Sequence, residues 1–94
     1  MFIEEASKKI LESYIAILKR KNIKAICNTE NPLSLEHVYW MCCECNKSID
    51  VKNKKNAWSV DKYSRWIGFI QAALVMHKIT TVDEERDKTR EWLK

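Results

Sequence analysis

Ser59–Lys78, SVDKYSRWIGFIQAALVMHK, decides the fold. Tyr63, Trp66, Ile67, Phe69, Ile70, Ala73, Leu74, Val75 and Met76 make it apolar nearly all round. Ser59 stands where an N-cap belongs, and the spacing predicts a helix from there to about Lys78. A helix apolar on most sides is a buried one. In a chain of 94 residues it is either central or packed against another subunit.

The flanking sequence predicts three more helices. Ile3, Ala6, Ile10, Tyr14 and Ile17 recur at helical spacing, widened by Leu11 and Leu18, so a first helix runs from about Ile3 to Lys21. Glu4 and Glu5 at its start and Lys19, Arg20 and Lys21 at its end complement the helix dipole. Ile23–Pro32 is a connection, ended by Asn31-Pro32, with Ile23 and Ile26 tucked beneath it. Ser34 caps a second helix whose seam is Leu35, Val38, Cys42, Cys45 and Ile49. Asp50–Ala57, with Lys52, Lys54 and Lys55 among asparagines, reads as a solvated loop. Thr81 and Glu84 form a capping box that opens a fourth helix ending near Leu93.

Composition agrees. A single Gly and a single Pro leave few residues for hairpin turns, which favours helices over strands. Hydrophobic residues at 46% against 32% charged are a globular balance rather than a disordered one. The expectation is one all-α domain over 1–94, a small bundle of about four helices assembled as a homo-oligomer. Self-association would bury part of Trp66, Ile70 or Met76 and support a core that is small for a stable domain.

The start, MFIEEASKK, is acidic where a secretory signal is basic and then apolar. The longest apolar run, Trp66–Met76, is too short and too polar to span a membrane. An intracellular protein with no membrane partner is expected. Cys27, Cys42, Cys43 and Cys45 should then be thiols. Cys42 and Cys45 form a C-x-x-C pair, but both lie on an apolar helical seam. Filling the core accounts for them better than an incomplete zinc set drawn from Cys27, Cys43 or His37. His37 lies five residues before Cys42, on another helix face, which argues against a Cys–His catalyst. His77 fits the end of a helix.

Two segments carry more than packing requires. In Arg65-Trp66-Ile67-Gly68-Phe69-Ile70-Gln71, a pitch of about 100° per residue puts Arg65, Gly68 and Gln71 on one face. A mid-helix Gly costs about 1 kcal/mol relative to Ala, and close approach of a backbone or ligand would offset that. The reading is a notch between a guanidinium and an amide. In Asp83–Arg90, Arg86, Thr89 and Arg90 share a face, where two guanidiniums and a hydroxyl suit a phosphate or carboxylate. The plain alternative is a salt-bridged surface, with Asp61–Arg65, Asp83–Arg86 and Asp87–Arg90 as pairs. Trp58 and Trp92, at element ends, are the exposed aromatics expected to stack on a base, whereas Trp66 is expected to be buried.

The pattern R-W-x-G-x-x-Q at Arg65–Gln71, followed by D-x-E-R-D-x-T-R at Asp83–Arg90, resembles a family of small accessory proteins of tailed bacteriophages. The resemblance covers about a third of the chain. It implies a viral protein of the host cytoplasm, of a kind that often counters host defences. Some such proteins are oligomers that sequester nucleotide immune signals.

Three functions follow, none of them enzymatic. The chain lacks a Ser–His–Asp set, a phosphate-cradling Gly loop and a carboxylate pair in an apolar setting, and nothing in it asks for a cofactor. First is stoichiometric binding of a nucleotide or similar small anion through Arg65, Gln71, Arg86, Thr89 and Arg90 with Trp58 or Trp92. Second is inhibition of a host protein, or an adaptor role, through the same surface with Trp40, Met41 and Trp92. Third is nucleic-acid binding by Lys52, Lys54, Lys55 and the basic end of the first helix, which a net charge of only +4 disfavours.

Overall fold

The computed structural model describes residues 3–49, 58–81 and 83–85. Helices α1 (Ile3–Arg20), α2 (Leu35–Ile49) and α3 (Val60–Met76) account for most of them. Residues 83–85 are the first turn of a further helix, and no strand occurs among the described residues. The all-α bundle is therefore observed.

Side chains or backbone satisfy the end groups at the starts of α2, α3 and the fourth helix and at the ends of α1 and α3. Ser34 Oγ accepts from His37 N at 3.2 Å, and Ser59 Oγ accepts from Lys62 N at 3.2 Å. The predicted capping box is reciprocal: Glu84 N donates to Thr81 Oγ1 at 3.1 Å and Thr81 N to Glu84 Oε2 at 3.3 Å. α1 and α3 end alike. Asn22 and Lys78 adopt left-handed φ values of 61° and 59°. The next residues, Ile23 and Ile79, then donate back to Leu18 O and Leu74 O at 3.3 and 2.9 Å. This is the Schellman arrangement, and Ile23 and Ile79 pack their side chains on the core as the motif favours. It stops α3 at Met76, two residues before the sequence-based boundary.

The central helix is α2, not α3. It packs broadly on both α1 and α3, which touch each other much less. Its seam is as expected: Val38, Met41, Cys42 and Cys45 are buried, with Leu35 and Ile49 half-buried beside them. From α1 the core takes Ile10, Leu11, Tyr14 and Leu18, and from α3 Tyr63, Ile67, Ile70, Ala73 and Leu74. α3 is thus two-faced. Phe69 is 37% and Met76 63% exposed, so the chain's own core does not cover α3 on all sides. Ile70, expected at a subunit interface, is at 0% in the chain's own core.

The 23–34 connection is pinned by both histidines. His37 Nδ1 accepts from Asn28 N at 2.9 Å, and His77 Nε2 meets Leu33 O at 2.6 Å. Ile23 is half-buried as expected, but Ile26 is 51% exposed. The short connection is held by these polar ties rather than by that isoleucine.

Candidate functional site

Cys42 and Cys45 are fully buried, and Cys45 Sγ donates weakly to Tyr63 O at 3.8 Å. Burial raises both thiols, Cys45 to about 11 from an ordinary 9.0. They fill the core, as free Cys commonly does. Among the described residues no group of three His, Cys, Asp or Glu side chains could hold a metal ion. Alkylation of the folded protein should label exposed Cys27 first, half-buried Cys43 slowly, and Cys42 and Cys45 only after denaturation, as peptide mass spectrometry would show. Unfolded thiols ionise near pH 9.0 while Cys45 keeps its proton to about 11. Stability from this group is therefore full below pH 9 and lost as pH rises towards 11, which thermal melts at alkaline pH would register.

Arg65 and Gln71 do not converge. Arg65 is exposed, with Nη2 3.3 Å from Asp61 Oδ2 and Nε donating to Asp61 O at 3.4 Å. Gln71 turns the other way and donates from Nε2 to Tyr14 Oη at 3.2 Å. Tyr14 Oη in turn donates to the buried carboxylate of Glu85 through Oε2, in a short hydrogen bond. Burial, then the Glu85 carboxylate, push the Tyr14 hydroxyl well above its ordinary range. The lone amide in an apolar run is thus part of a polar link that fastens the start of the fourth helix to α1 and α3. Gln71 Nε2 is thus engaged by Tyr14 inside the chain rather than presented beside Arg65.

Gly68 is not a notch within the chain. A methyl group placed on it would meet nothing within 4 Å. Gly68→Ala should therefore raise stability by about 1 kcal/mol in dilute solution, read from denaturant melts. A loss would mean that something must approach this backbone closely.

Trp58 is half-buried rather than open. It sits edge-on to Trp66 with ring centres 4.4 Å apart, and Lys62 Nζ lies 4.2 Å over its ring. Trp66 also meets Trp40 at 6.2 Å, and Trp40 meets His37 at 5.4 Å. Trp66, expected to be buried, is half-buried because this ladder runs along the outer edge of the α2–α3 contact. Arg86, Thr89, Arg90 and Trp92 lie outside the described residues, as do Lys52, Lys54 and Lys55.

What α2 and α3 do bring together is a groove of about 430 Å³ lined by Met41, Lys62, Arg65, Trp66 and Phe69. Its floor is apolar and aromatic, and its rim carries an ammonium and a guanidinium. Sequence reasoning named Arg65 and Met41 but missed Lys62 and Phe69. Their spacing of seven on α3, which places them on one side of that helix, was the available signal.

Compared with known protein families, curated proteins and solved structures, the chain matches none. No helix among the described residues is long and apolar enough to cross a membrane.

Proposed function

We propose that this chain acts by stoichiometric binding, without chemistry of its own, and that the α2–α3 groove is its contact surface. The resemblance supports an accessory, anti-defence protein of a tailed bacteriophage that works in the host cytoplasm as a homo-oligomer. The occupant is a segment of a host protein, presenting an aromatic or aliphatic anchor to Trp66, Phe69 and Met41 and an acidic residue to Lys62. The observation that carries this reading is the open aromatic groove with cations on its rim. Exposed apolar surface edged by charge is a common mark of a protein contact.

A second reading keeps the small anion. The groove's volume lies within the range of small-ligand sites, and Lys62 and Arg65 stand beside Trp66. A phosphate there must draw Arg65 from Asp61, which weakens this reading against the first.

A photo-crosslinker at Phe69, used in host cells, identifies the partner, and the purified pair is then reconstituted. Lys62→Glu should weaken that complex at least about tenfold, about 1.4 kcal/mol. Thermal shift against cyclic di- and trinucleotides and cyclic ADP-ribose isomers tests the second reading. Stabilisation lost in Lys62→Glu would establish it, and neither result appearing would sink both.

A further inference from the structure

A closed circuit of hydrogen bonds shapes the turn that leads into α2. Asn28 N donates to His37 Nδ1 at 2.9 Å, and His37 N donates to Ser34 Oγ at 3.2 Å. Ser34 N donates to Asn31 O at 3.0 Å, and Asn31 N returns to Asn28 O and Oδ1, both at 3.2 Å. His37 is only 7% exposed, so its ring is largely shielded from water. Amides and a hydroxyl make the rest of the circuit, and these do not titrate at ordinary pH. Only the contact at His37 Nδ1 passes through a titratable group.

The two histidines that tie this connection differ in what a proton does to them. A backbone N–H can donate to His37 Nδ1 only while that nitrogen carries no proton, so the ring holds its hydrogen on Nε2. At His77 the requirement is reversed. A carbonyl oxygen has no hydrogen to give, so the 2.6 Å contact of His77 Nε2 with Leu33 O needs a proton on Nε2. A cationic His77 keeps that donor, and a charged donor makes the stronger bond.

We propose that His37 is a proton-operated clasp on residues 27–33, and that His77 is a clasp that stays shut in acid. Uptake of one proton makes a new N–H at His37 Nδ1. The acceptor becomes a donor facing the Asn28 N–H, and the contact is lost. The segment remains anchored at both ends, by Ile26 N on Glu36 O at 3.1 Å and by Leu33 O on His77. Acid therefore frees a short stretch between two fixed points and leaves α2 in place. Asn28 faces the His37 ring from the connection, and Trp40 faces it from α2, with ring centres 5.4 Å apart. Neither is charged. No ion pair from α1, α2 or α3 reaches the ring among the described residues. The titratable residues nearest in sequence, Cys27, Glu30 and Glu36, are exposed, as is Lys78 beside His77. No carboxylate thus pairs with the charged ring to offset the broken contact. The clasp is independent of the groove and of self-association.

Histidine nitrogen shifts of the full chain at about pH 8 should show His37 with a bare Nδ1 and a protonated Nε2. Amide exchange, expressed as protection relative to the unfolded rate at each pH, reads the clasp itself. Protection of Asn28 should fall about threefold to tenfold between about pH 8 and about pH 5, the equivalent of one ordinary hydrogen bond. Ile26, which donates to Glu36 O, should keep its protection. His37→Asn places a carbonyl oxygen near the position of Nδ1 that cannot take up a proton, so Asn28 should stay protected at both pH values. His77→Gln should leave the response of Asn28 unchanged. A proton on His37 Nδ1 at the higher pH, or Asn28 protection that does not respond to pH, would overturn the proposal. So would an equal loss at Ile26, which would mark general acid unfolding, or a response abolished in His77→Gln. The tautomer and the Asn28 response are both read on the wild-type chain, so a His37→Asn variant that fails to fold leaves the test complete.

Discussion

Tyr14→Phe should lower the free energy of unfolding by about 1.5–3 kcal/mol, the range for a hydrogen bond to a charged group. The ring stays, so the packing of a fully buried side chain is kept. Only the hydroxyl goes, and with it the donor to the Glu85 carboxylate and the acceptor for Gln71 Nε2. Glu85 is itself buried, and a buried carboxylate that loses a donor is penalised by its own desolvation. Tyr63→Phe is the matched control. That hydroxyl is also buried, but it has no hydrogen-bond partner among the described residues. Removing it should be neutral or slightly stabilising, because an unmade hydrogen bond cannot be lost. Urea denaturation of the two variants measures the contrast. Equal losses would mean that the Tyr14–Glu85 link contributes nothing special. The link spans 71 positions of sequence, so its loss should also free the turn at Asp83–Glu85, visible as faster amide exchange there.

Ile70→Ala should lower stability by about 2–5 kcal/mol, and Met76→Ala by almost nothing in dilute solution. Both are large apolar residues of α3, and they sit near opposite extremes of exposure. Ile70 is a fully buried member of a core built of Leu, Ile, Val, Cys and Tyr side chains, so truncation leaves a cavity. A chain of 94 residues has about 5–14 kcal/mol of stability in total. The first change therefore removes a large share of it, and the second trims a side chain that stands mostly in solvent. Similar losses for the two would mean that α3 is buried on all sides, as its composition alone suggests.

That contrast shows where the sequence was legible. Periodicity placed α1 and α2 almost to the residue, and Ser34, Ser59 and the Thr81–Glu84 box are caps because short polar side chains there have no better partner than the nearby backbone N–H. In α3 periodicity failed for a physical reason. When nearly every position is apolar, the pattern carries no face, and only tertiary contacts decide that Ile67, Ile70 and Leu74 turn inward while Phe69 and Met76 turn out. The central position of α2 was hidden for the same reason.

The candidate site was less legible than the fold. Arg65 and Gln71 share a helix face but not a site. Their side chains are long enough to leave that face in opposite directions, one to Asp61 and the other to Tyr14. Gly68 carries the expected cost of a mid-helix glycine, and no close approach among the described residues explains it. The groove depends on Lys62 and Phe69 meeting Met41 of another helix, and a contact between helices leaves no periodic trace in either one.

The central claim is that the α2–α3 groove is the binding surface of a stably folded chain. Phe69→Glu and Lys9→Glu, both exposed positions, test it most directly when melting temperature and affinity for the reconstituted partner are measured side by side. The account predicts that both variants fold, that Lys9→Glu melts and binds like the wild type, and that folded Phe69→Glu, which loses packing beside Met41, binds at least about tenfold more weakly. Wild-type affinity in folded Phe69→Glu would contradict it.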